Sequence, residues 1–380
     1  MVTKQGLLER VEGLLPGIAA RAEESEQQRR PHDKTIQELI DAEVIQALVP
    51  QRFGGHELDL DTLTEVARKV SSACMSTGWV TAFYIGHNWM AMRFPEQAHK
   101  EIFAHRPFGL MPVQTSPAME FKAVPGGYEV SGRANWGSGV MHADWVMVAG
   151  GIGREDARIF LLPIGDVEVN DVWFMAGMAA TGSNDILVDS AFVPEHRSVS
   201  AIEFFAGSDS IHENPLYAVP LMPFIYCEAL GVYCGGLEGA TAAYEALVSE
   251  KVTLWTGEKL ANRQVTHVDL GDARARSRAA NILLERLVAD TIELAQRRAF
   301  DLDARIDLKL RAGYIADTCR EAMNAMMSRV GSRAFRSDGS LQRYFRDLNT
   351  LASHVFVDWE VGREQYGRHC LGLPSNNPLV

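Results

Sequence analysis

Residues 121–131 read FKAVPGGYEVS, with a Pro-Gly-Gly turn between two short strand-like segments. Glycine readily adopts the backbone angles of tight turns, so this stretch predicts a β-hairpin. Three further strand-like segments lie between about residues 109 and 199, separated by turn residues: 145–148, 159–162 and 185–188. Short strands at this spacing predict an antiparallel barrel or sandwich in the middle of the chain rather than alternating strands and helices.

The sequence on both sides of this block has a helical period. Residues 77–92 form an apolar segment typical of a buried helix, and apolar residues keep helical spacing again from Ile282 to Ala295. The pattern therefore predicts three parts: an N-terminal α-helical domain over 1–107, a β domain over 108–205, and a C-terminal helical domain over 206–380.

Composition excludes several classes of protein. The 380 residues carry a net charge of −12, and no basic face of the kind that binds nucleic acid is present. The N-terminus is polar, and no apolar run is long enough to cross a membrane. Five cysteines without a C-x-x-C pair favour a reducing cytoplasm and argue against a structural metal site. No G-x-G-x-x-G follows a strand, so a dinucleotide-binding domain is not expected.

Several spaced motifs carry a resemblance that covers essentially the whole chain. They are Pro50–Gly55 (PQRFGG), Gly126–Gly132 followed by Trp136-Gly137-Ser138, Thr181-Gly182-Ser183 ahead of Val193-Pro194, and Gly331–Phe335 ahead of Arg346-Asp347. This set resembles the acyl-CoA dehydrogenases. The resemblance implies an α+β fold with an N-terminal helical domain, a central antiparallel β-barrel and a C-terminal four-helix bundle.

Two departures change the expected chemistry. Acyl-CoA dehydrogenases need a carboxylate base, but the position where it commonly stands holds Val355, with His354 beside it. The Gly-x-Gly-Ser-Asp segment that helps to hold coenzyme A is also missing after Thr115-Ser116-Pro117. The altered pattern resembles the two-component flavin monooxygenases on the same fold, relatives of the 4-hydroxyphenylacetate and indole oxygenases.

This resemblance implies an oxygenase component that uses reduced flavin and O2. Through a flavin C4a-hydroperoxide it would hydroxylate a small aromatic substrate of the phenol or indole type. A separate NAD(P)H-dependent reductase would supply the flavin. FADH2 is favoured over FMNH2, because Gly331-Ser332 resembles the segment that reaches the adenosine side. In this fold that contact usually comes from a neighbouring subunit, so a homotetramer is expected.

The resemblance also assigns site residues by position. Ser138 would bond flavin N5, His354 would stabilise or protonate the peroxide, and His87 would bond the substrate. The predicted flavin contacts are Thr115, Trp136, Ser138, Ser183, Gly331 and Ser332. The predicted substrate contacts are His87, Trp89, Met222, Phe224 and Tyr226, with Trp79 as a further aromatic wall.

Other interpretations stay open from the residues alone. Each histidine can be an ordinary core residue bonded to backbone, and aromatic residues at helical spacing are more often plain core. The alternatives for the whole protein are an acyl-CoA dehydrogenase with its base on another helix, a flavin-dependent N-oxygenase of an amine, and a non-catalytic assembly scaffold. Asp358 and Glu360 are poor candidates for a displaced base.

Overall fold

Six helices precede the first strand in the computed structural model, which describes residues 2–207, 213–252 and 257–377. They are α1 (Lys4–Ala20), α2 (Ala22–Gln28), α3 (Asp33–Asp41), α4 (Leu60–Ala73), α5 (Met75–Ala91) and α6 (Glu96–Ile102). Every residue of α5 except Phe83 is buried. The apolar segment predicted at 77–92 is therefore confirmed as a central helix, covered on all sides.

Seven strands follow and form one mixed sheet. They are β1 (Val113–Val124), β2 (Gly127–Gly137), β3 (Trp145–Gly150), β4 (Arg158–Pro163), β5 (Glu168–Asn170), β6 (Asn184–Pro194) and β7 (Ser198–Ser200). β1 and β2 pair antiparallel with Val124 opposite Gly127, and Gly126 has φ +82° in the turn between them. The hairpin predicted at 121–131 is confirmed.

The expected antiparallel barrel is not what the sheet forms. The strand order is β5-β6-β2-β1-β3-β4-β7, so the sheet is open and its edges are two strands of three residues each. β1 pairs parallel with β3, and its register breaks between Gln114 and Met119. A bend in this long strand lets its second half pair with β2 and its first half with β3. Alternation within short strands does not encode such a bend.

The chain after the sheet is helical again. Its helices are α7 (Ala201–Ala206), α8 (Leu221–Glu250), α9 (Gln264–Arg297), α10 (Leu302–Met327), α11 (Ser340–Leu351) and α12 (Trp359–Cys370). Three long helices, α8 to α10, pack on one another, while α11 packs on α8 and α12 on α10. The described part beyond residue 220 thus has five α-helices, and the four-helix bundle stays a prediction.

The two helical parts share one core. α4 and α5 pack on α8, and buried residues of both parts belong to the same hydrophobic cluster. At Gly235 of α8 an added Cβ would stand 2.0 Å from the carbonyl oxygen of Arg68, so only glycine permits this approach to α4. α5 itself packs against α4, α8 and the 3-10 turn Ala179–Thr181 before β6. Among the described residues, no helix is long and apolar enough to span a membrane.

Candidate active site

Three hydroxyl groups form a hydrogen-bonded row at the junction of α5 and the sheet. The Oγ atoms of Ser138 and Ser183 are 2.7 Å apart, and Ser183 Oγ lies 2.6 Å from Thr181 Oγ1. Thr181 Oγ1 donates to the carbonyl oxygen of Met178 at 2.8 Å. At the other end, the indole N–H of Trp79 on α5 donates to Ser138 Oγ at 3.2 Å. The row therefore joins α5 to the loop before β6.

Counting protons gives this row a direction. Each hydroxyl carries a single proton. Because Thr181 donates to a carbonyl, Ser183 donates to Thr181, and Ser138 in turn donates to Ser183. Ser138 thus has no proton left to give, and it already accepts one from Trp79. Its remaining lone pair and its 8% exposed surface present an acceptor to a ligand that carries an N–H group.

Trp136, two residues before Ser138, has a backbone conformation that is rare for residues other than glycine. Its φ is +65°. Its N–H donates to Asp185 Oδ1 at 3.2 Å, and its carbonyl accepts from Gln114 Nε2 at 2.7 Å. The indole remains 54% exposed and meets Trp173 edge-on. Two hydrogen bonds thus hold a strained residue whose flat side chain stays open beside Ser138.

Residues of α11 hold the loop that carries Thr181 and Ser183. Asp347 Oδ1 accepts the N–H of Met178 at 2.6 Å. An added Cβ at Gly177 would stand 2.2 Å from the carbonyl oxygen of Arg346, so the loop lies directly on the helix. Burial raises the pKa of Asp347 to about 7. The Arg346-Asp347 motif of the sequence therefore contacts the loop that carries the hydroxyl row and holds it in place.

A line of aromatic rings connects the two predicted catalytic histidines. Trp79, Phe83 and His87 are spaced four residues apart on one face of α5. The ring centroids of Trp79 and Phe83 are 4.5 Å apart, as are those of Phe83 and His87. The ring of Trp79 also lies 5.4 Å from that of His354. Since Trp79 bonds Ser138, the structure brings His87, Ser138 and His354 to one continuous wall.

His87 is arranged as a hydrogen-bond acceptor. Its Nδ1 lies 2.6 Å from the carbonyl oxygen of Met111, and a carbonyl can only accept. Nδ1 therefore carries the proton, and Nε2 keeps its lone pair. The side chain is 2% exposed, and desolvation lowers its pKa to about 4. A neutral ring with a free Nε2 lone pair can accept a proton or hydrogen bond from an O–H or N–H group.

His354 has the opposite arrangement. It precedes a 3-10 turn, Val355–Val357, and its Nδ1 faces the N–H of Phe356 at 3.5 Å. This contact leaves the proton on Nε2, which makes Nε2 a donor. Burial lowers the pKa of His354 to about 4, although the residue as a whole is only half-buried. Val355, the residue at the usual position of a dehydrogenase base, is 55% exposed and has no group that can remove a proton.

Trp89 and Phe224, both predicted as substrate contacts, lie in the core. Each is fully buried, and their rings stack with centroids 3.5 Å apart. Trp89 Nε1 donates to the carbonyl oxygen of Leu216 at 2.8 Å, and Arg93 covers the ring at 4.0 Å. Neither residue has surface that a ligand can touch in this conformation. The arrangement favours a packing role, which α5 could not reveal by periodicity because nearly all its residues are buried.

The remaining predicted contacts lie in three places. Met222 and Tyr226 are on the first turns of α8, where Met222 keeps 9% of its surface exposed and Tyr226 1%. Thr115 is half-buried on β1, next to the Gln114 that bonds Trp136. Gly331 and Ser332 are exposed after α10 and are not members of the hydroxyl row.

Sequence reasoning did not single out Phe83, Thr181 or the donor role of Trp79. The spacing of four residues from Trp79 to Phe83 to His87 was a usable signal for a common face. Thr181 belongs to the Thr-Gly-Ser motif, but its place in the row depends on the fold of the loop around it. The role of Trp79 required a contact with Ser138, which is 59 residues away in the sequence.

The open side of this site suits a reduced flavin. Its N5 carries a proton, and Ser138 offers the matching acceptor. The exposed indole of Trp136 provides a flat surface next to it. In the described part of the chain, no group of three or more His, Cys, Asp or Glu side chains is arranged to hold a metal ion.

Comparisons with known proteins agree with this geometry. Residues 231–359 match the family model described as acyl-CoA dehydrogenase, C-terminal domain. The chain is 40% identical to the pigment production hydroxylase of Rhodococcus sp., over 100% of both chains. It is 30% identical to the flavin-dependent monooxygenase, oxygenase subunit HsaA, of Mycobacterium tuberculosis, over 99% of this chain and 98% of that protein.

A solved structure extends the likeness to the arrangement in space. XiaF from Streptomyces sp., in complex with FADH2 and glycerol, matches with a TM-score of 0.92 and 26% identity. The match covers 99% of this chain and 97% of that chain. Both the sequences and the structure are thus similar from end to end. The chain belongs to the flavin-dependent monooxygenases, as an oxygenase component built on the acyl-CoA dehydrogenase fold.

Proposed function

We propose that this oxygenase component hydroxylates a small aromatic substrate of the phenol or indole type. The observation that carries the proposal is the line of rings from His87 to His354, which offers an apolar wall of tilted aromatic rings with a hydrogen-bond acceptor at one end and a donor at the other. Relatives 25% to 27% identical are named resorcinol hydroxylase, p-hydroxyphenylacetate 3-hydroxylase and indole-3-acetate monooxygenase.

Each of the three polar residues has a distinct task in this proposal. His87 Nε2 accepts the hydrogen bond of the substrate O–H or N–H, which raises the electron density of the ring to be attacked. His354 donates its Nε2 proton to the oxygen that reacts. Ser138 accepts the N–H of the flavin and fixes its position. Trp79 and Phe83 exclude water between these groups.

Reduced flavin, once bound, supplies two electrons, so that one atom of O2 enters the substrate and the other leaves as water. FADH2 is the favoured form and FMNH2 the alternative. A separate NAD(P)H-dependent flavin reductase completes the system. The names of the relatives, which call them oxygenase subunits or components, support such a partner.

The test is a single-turnover reaction with labelled oxygen. Chemically reduced FAD, the protein and ¹⁸O2 are mixed with phenol, resorcinol or indole, and products are analysed by mass spectrometry. One ¹⁸O atom on the aromatic ring is the expected result. Two parallel reactions test the alternatives. Bleaching of bound oxidised flavin by an acyl-CoA would favour the dehydrogenase. An oxygen found only on the nitrogen of an amine would favour the N-oxygenase.

A variant makes the role of His87 measurable. His87→Ala should lower the yield of hydroxylated product per reduced flavin by roughly 10²- to 10⁴-fold, since it removes the base for the substrate proton. Oxygen consumption should continue, with hydrogen peroxide as the product. His196→Ala, which removes a partly exposed histidine paired with Glu101, is the matched control and should keep the wild-type yield.

We also propose a homotetramer. Gly331 and Ser332 are exposed, as an intersubunit contact to FAD requires. Val265, Val268 and Ile282 on α9 are 46%, 61% and 65% exposed, a stripe that a second subunit can cover. Light scattering after gel filtration should give four times the chain mass of 42.0 kDa. A mass equal to that of one chain would contradict the proposed homotetramer but would not contradict the proposed chemistry.

The division into parts over 1–107, 108–205 and 206–380 remains a proposal, as does the cytoplasm as location. All seven strands fall within the middle range. Cys74, Cys227, Cys234 and Cys319 are buried free thiols and Cys370 is an exposed one, which suits a reducing compartment.

A further inference from the structure

A buried carboxyl group on α8 has no part in the chemistry described so far. Glu228 is 1% exposed, and within the described residues its Oε1 has no hydrogen-bond partner. Desolvation raises the pKa of this carboxyl well above its usual range, which favours its uncharged form. A buried polar group without a hydrogen-bond partner destabilises the folded protein. A leucine at this position would avoid that cost.

The residue opposite Glu228 is a glycine in the middle of α5. An added Cβ at Gly86 would stand 1.9 Å from Glu228 Oε1 and 3.1 Å from the ring of Phe224. The missing side chain of Gly86 therefore makes room for the carboxyl, although glycine inside a helix is less favourable than alanine. Glu228 and Gly86, which face each other, are thus both residues that lower the stability of the folded protein. Gly86 is the residue immediately before His87.

Within the described part of the chain, no positively charged side chain makes a direct contact with the polar residues of the ring line. In the described residues, none of the hydrogen-bond or ring partners of His87, Trp79 and His354 is charged. Arg93, two residues beyond the end of α5, donates to three backbone carbonyls, those of Phe204, Tyr217 and Val219. An aromatic substrate with a carboxylate would therefore meet no partner for its charge.

We propose that Glu228 is a specificity-determining residue of the substrate pocket. Its carboxylic acid hydrogen-bonds a second uncharged polar group, a hydroxyl or a carbonyl, on an aromatic substrate whose first hydroxyl bonds His87. The inference rests on the proposed aromatic hydroxylation and narrows it to uncharged substrates with two polar groups. Aromatic carboxylates are excluded.

Binding measurements on the full chain test this inference without requiring turnover. Calorimetry compares resorcinol, which has two hydroxyls, with phenol, which has one, and with 4-hydroxyphenylacetate, which has a hydroxyl and a carboxylate. Wild type should bind resorcinol about 2- to 12-fold more tightly than phenol, the range of one hydrogen bond. It should bind 4-hydroxyphenylacetate more weakly than phenol. Glu228→Leu should remove the preference for resorcinol, and Glu228→Gln should keep most of it.

Ser71 offers a matched control. Its Oγ is also buried without a partner among the described residues, and it also faces a glycine of α5, Gly78, but from α4. Ser71→Ala should leave the ratio of resorcinol to phenol affinity unchanged. If Glu228→Leu keeps the wild-type ratio, Glu228 has only a packing role and the inference is wrong.

Two further outcomes separate this inference from the proposed function. Tighter binding of 4-hydroxyphenylacetate than of resorcinol by wild type would overturn the inference even if no Glu228 variant folds. If the ratio depends on Glu228 as expected but ¹⁸O enters no aromatic ring, the proposed hydroxylation fails while the binding subsite stands.

Discussion

Single backbone groups decide what His87 and His354 can do. The carbonyl of Met111 holds the proton of His87 on Nδ1, whereas the N–H of Phe356 leaves the proton of His354 on Nε2. The two rings have the same chemistry in isolation, yet one faces the site as an acceptor and the other as a donor. Met111 lies 24 residues after His87 in the sequence, and Phe356 lies two residues after His354. The sequence names these residues but does not say which ring nitrogen of each histidine carries the proton.

The buried state of His87 makes stability depend on pH. Its pKa is about 4 in the folded chain and near 6.5 when unfolded, so the unfolded state binds more protons between these values. Stability is therefore lost as the pH falls from 6.5 toward 4, by about 2 kcal/mol at pH 5. Urea unfolding at pH 7.5 and pH 5 should show a smaller loss for His87→Gln than for wild type. Equal losses would mean that the folded ring titrates normally.

At the scale of elements, Arg93 joins α5 to the chain segments on either side of residues 208–212. Its Nε donates to the carbonyl oxygen of Phe204 at 2.9 Å, and its terminal nitrogens donate to those of Tyr217 at 3.3 Å and Val219 at 2.6 Å. The side chain is 8% exposed, and burial lowers its pKa to about 9. This one side chain thus holds the end of α7 and the segment just before α8 next to the helix that carries His87.

Arg93→Met should destabilise the protein by about 3 kcal/mol or more, because three buried carbonyls lose their donor. Arg93→Lys should fall between this variant and wild type, since one ammonium group cannot match the planar fork of three donors. Urea unfolding at pH 7.5 measures both. Arg274→Met removes an exposed ion pair with Glu245 and should change stability by about 0.5 kcal/mol at most. If Arg93→Met is as stable as Arg274→Met, the three hydrogen bonds of Arg93 do not stabilise the protein.

The sequence predicted elements better than it predicted how they join. The hairpin at 121–131, the buried helix over 77–92 and the long C-terminal helices follow from local periodicity and turn chemistry. The open sheet does not, because the parallel pairing of β1 with β3 depends on a register break inside β1. Trp89 shows the same limit on a helix. With almost every residue of α5 buried, periodicity cannot distinguish the face toward the ring line from the face toward Phe224.

At the scale of the whole molecule, one junction joins the N-terminal helices, the loop before β6 and the C-terminal helices. Glu26 on α2 pairs with Arg343, at 3.2 Å, and with Arg346 on α11. Asp347, on the same helix, accepts the N–H of Met178 at the start of the hydroxyl row. The Arg346-Asp347 motif, which contributed to the resemblance, thus lies where the N-terminal helices, the loop before β6 and the C-terminal helices meet. Sequence spacing located it, but its role required the long-range contacts.

Asp347 should make the whole molecule less stable at alkaline pH. Its pKa is about 7 when folded and near 3.9 when unfolded, so the folded state binds more protons between these values. The stabilising contribution is complete below about pH 4 and is lost as the pH rises through 7. From pH 5 to pH 8.5, wild type should therefore lose about 2–3 kcal/mol that Asp347→Asn does not lose, because asparagine keeps the acceptor for Met178 and cannot ionise.

Asp347→Ala separates this effect from the hydrogen bond itself. It should share the flat pH dependence of Asp347→Asn but be less stable by about 1–2 kcal/mol at every pH, since the N–H of Met178 loses its acceptor. Urea unfolding of the three proteins at pH 5 and pH 8.5 gives all the differences. A gap between Asp347→Asn and wild type that is the same at both pH values would show that Asp347 titrates outside this range. The junction would then hold an ionised carboxylate, stabilised by Arg343 and Arg346, throughout.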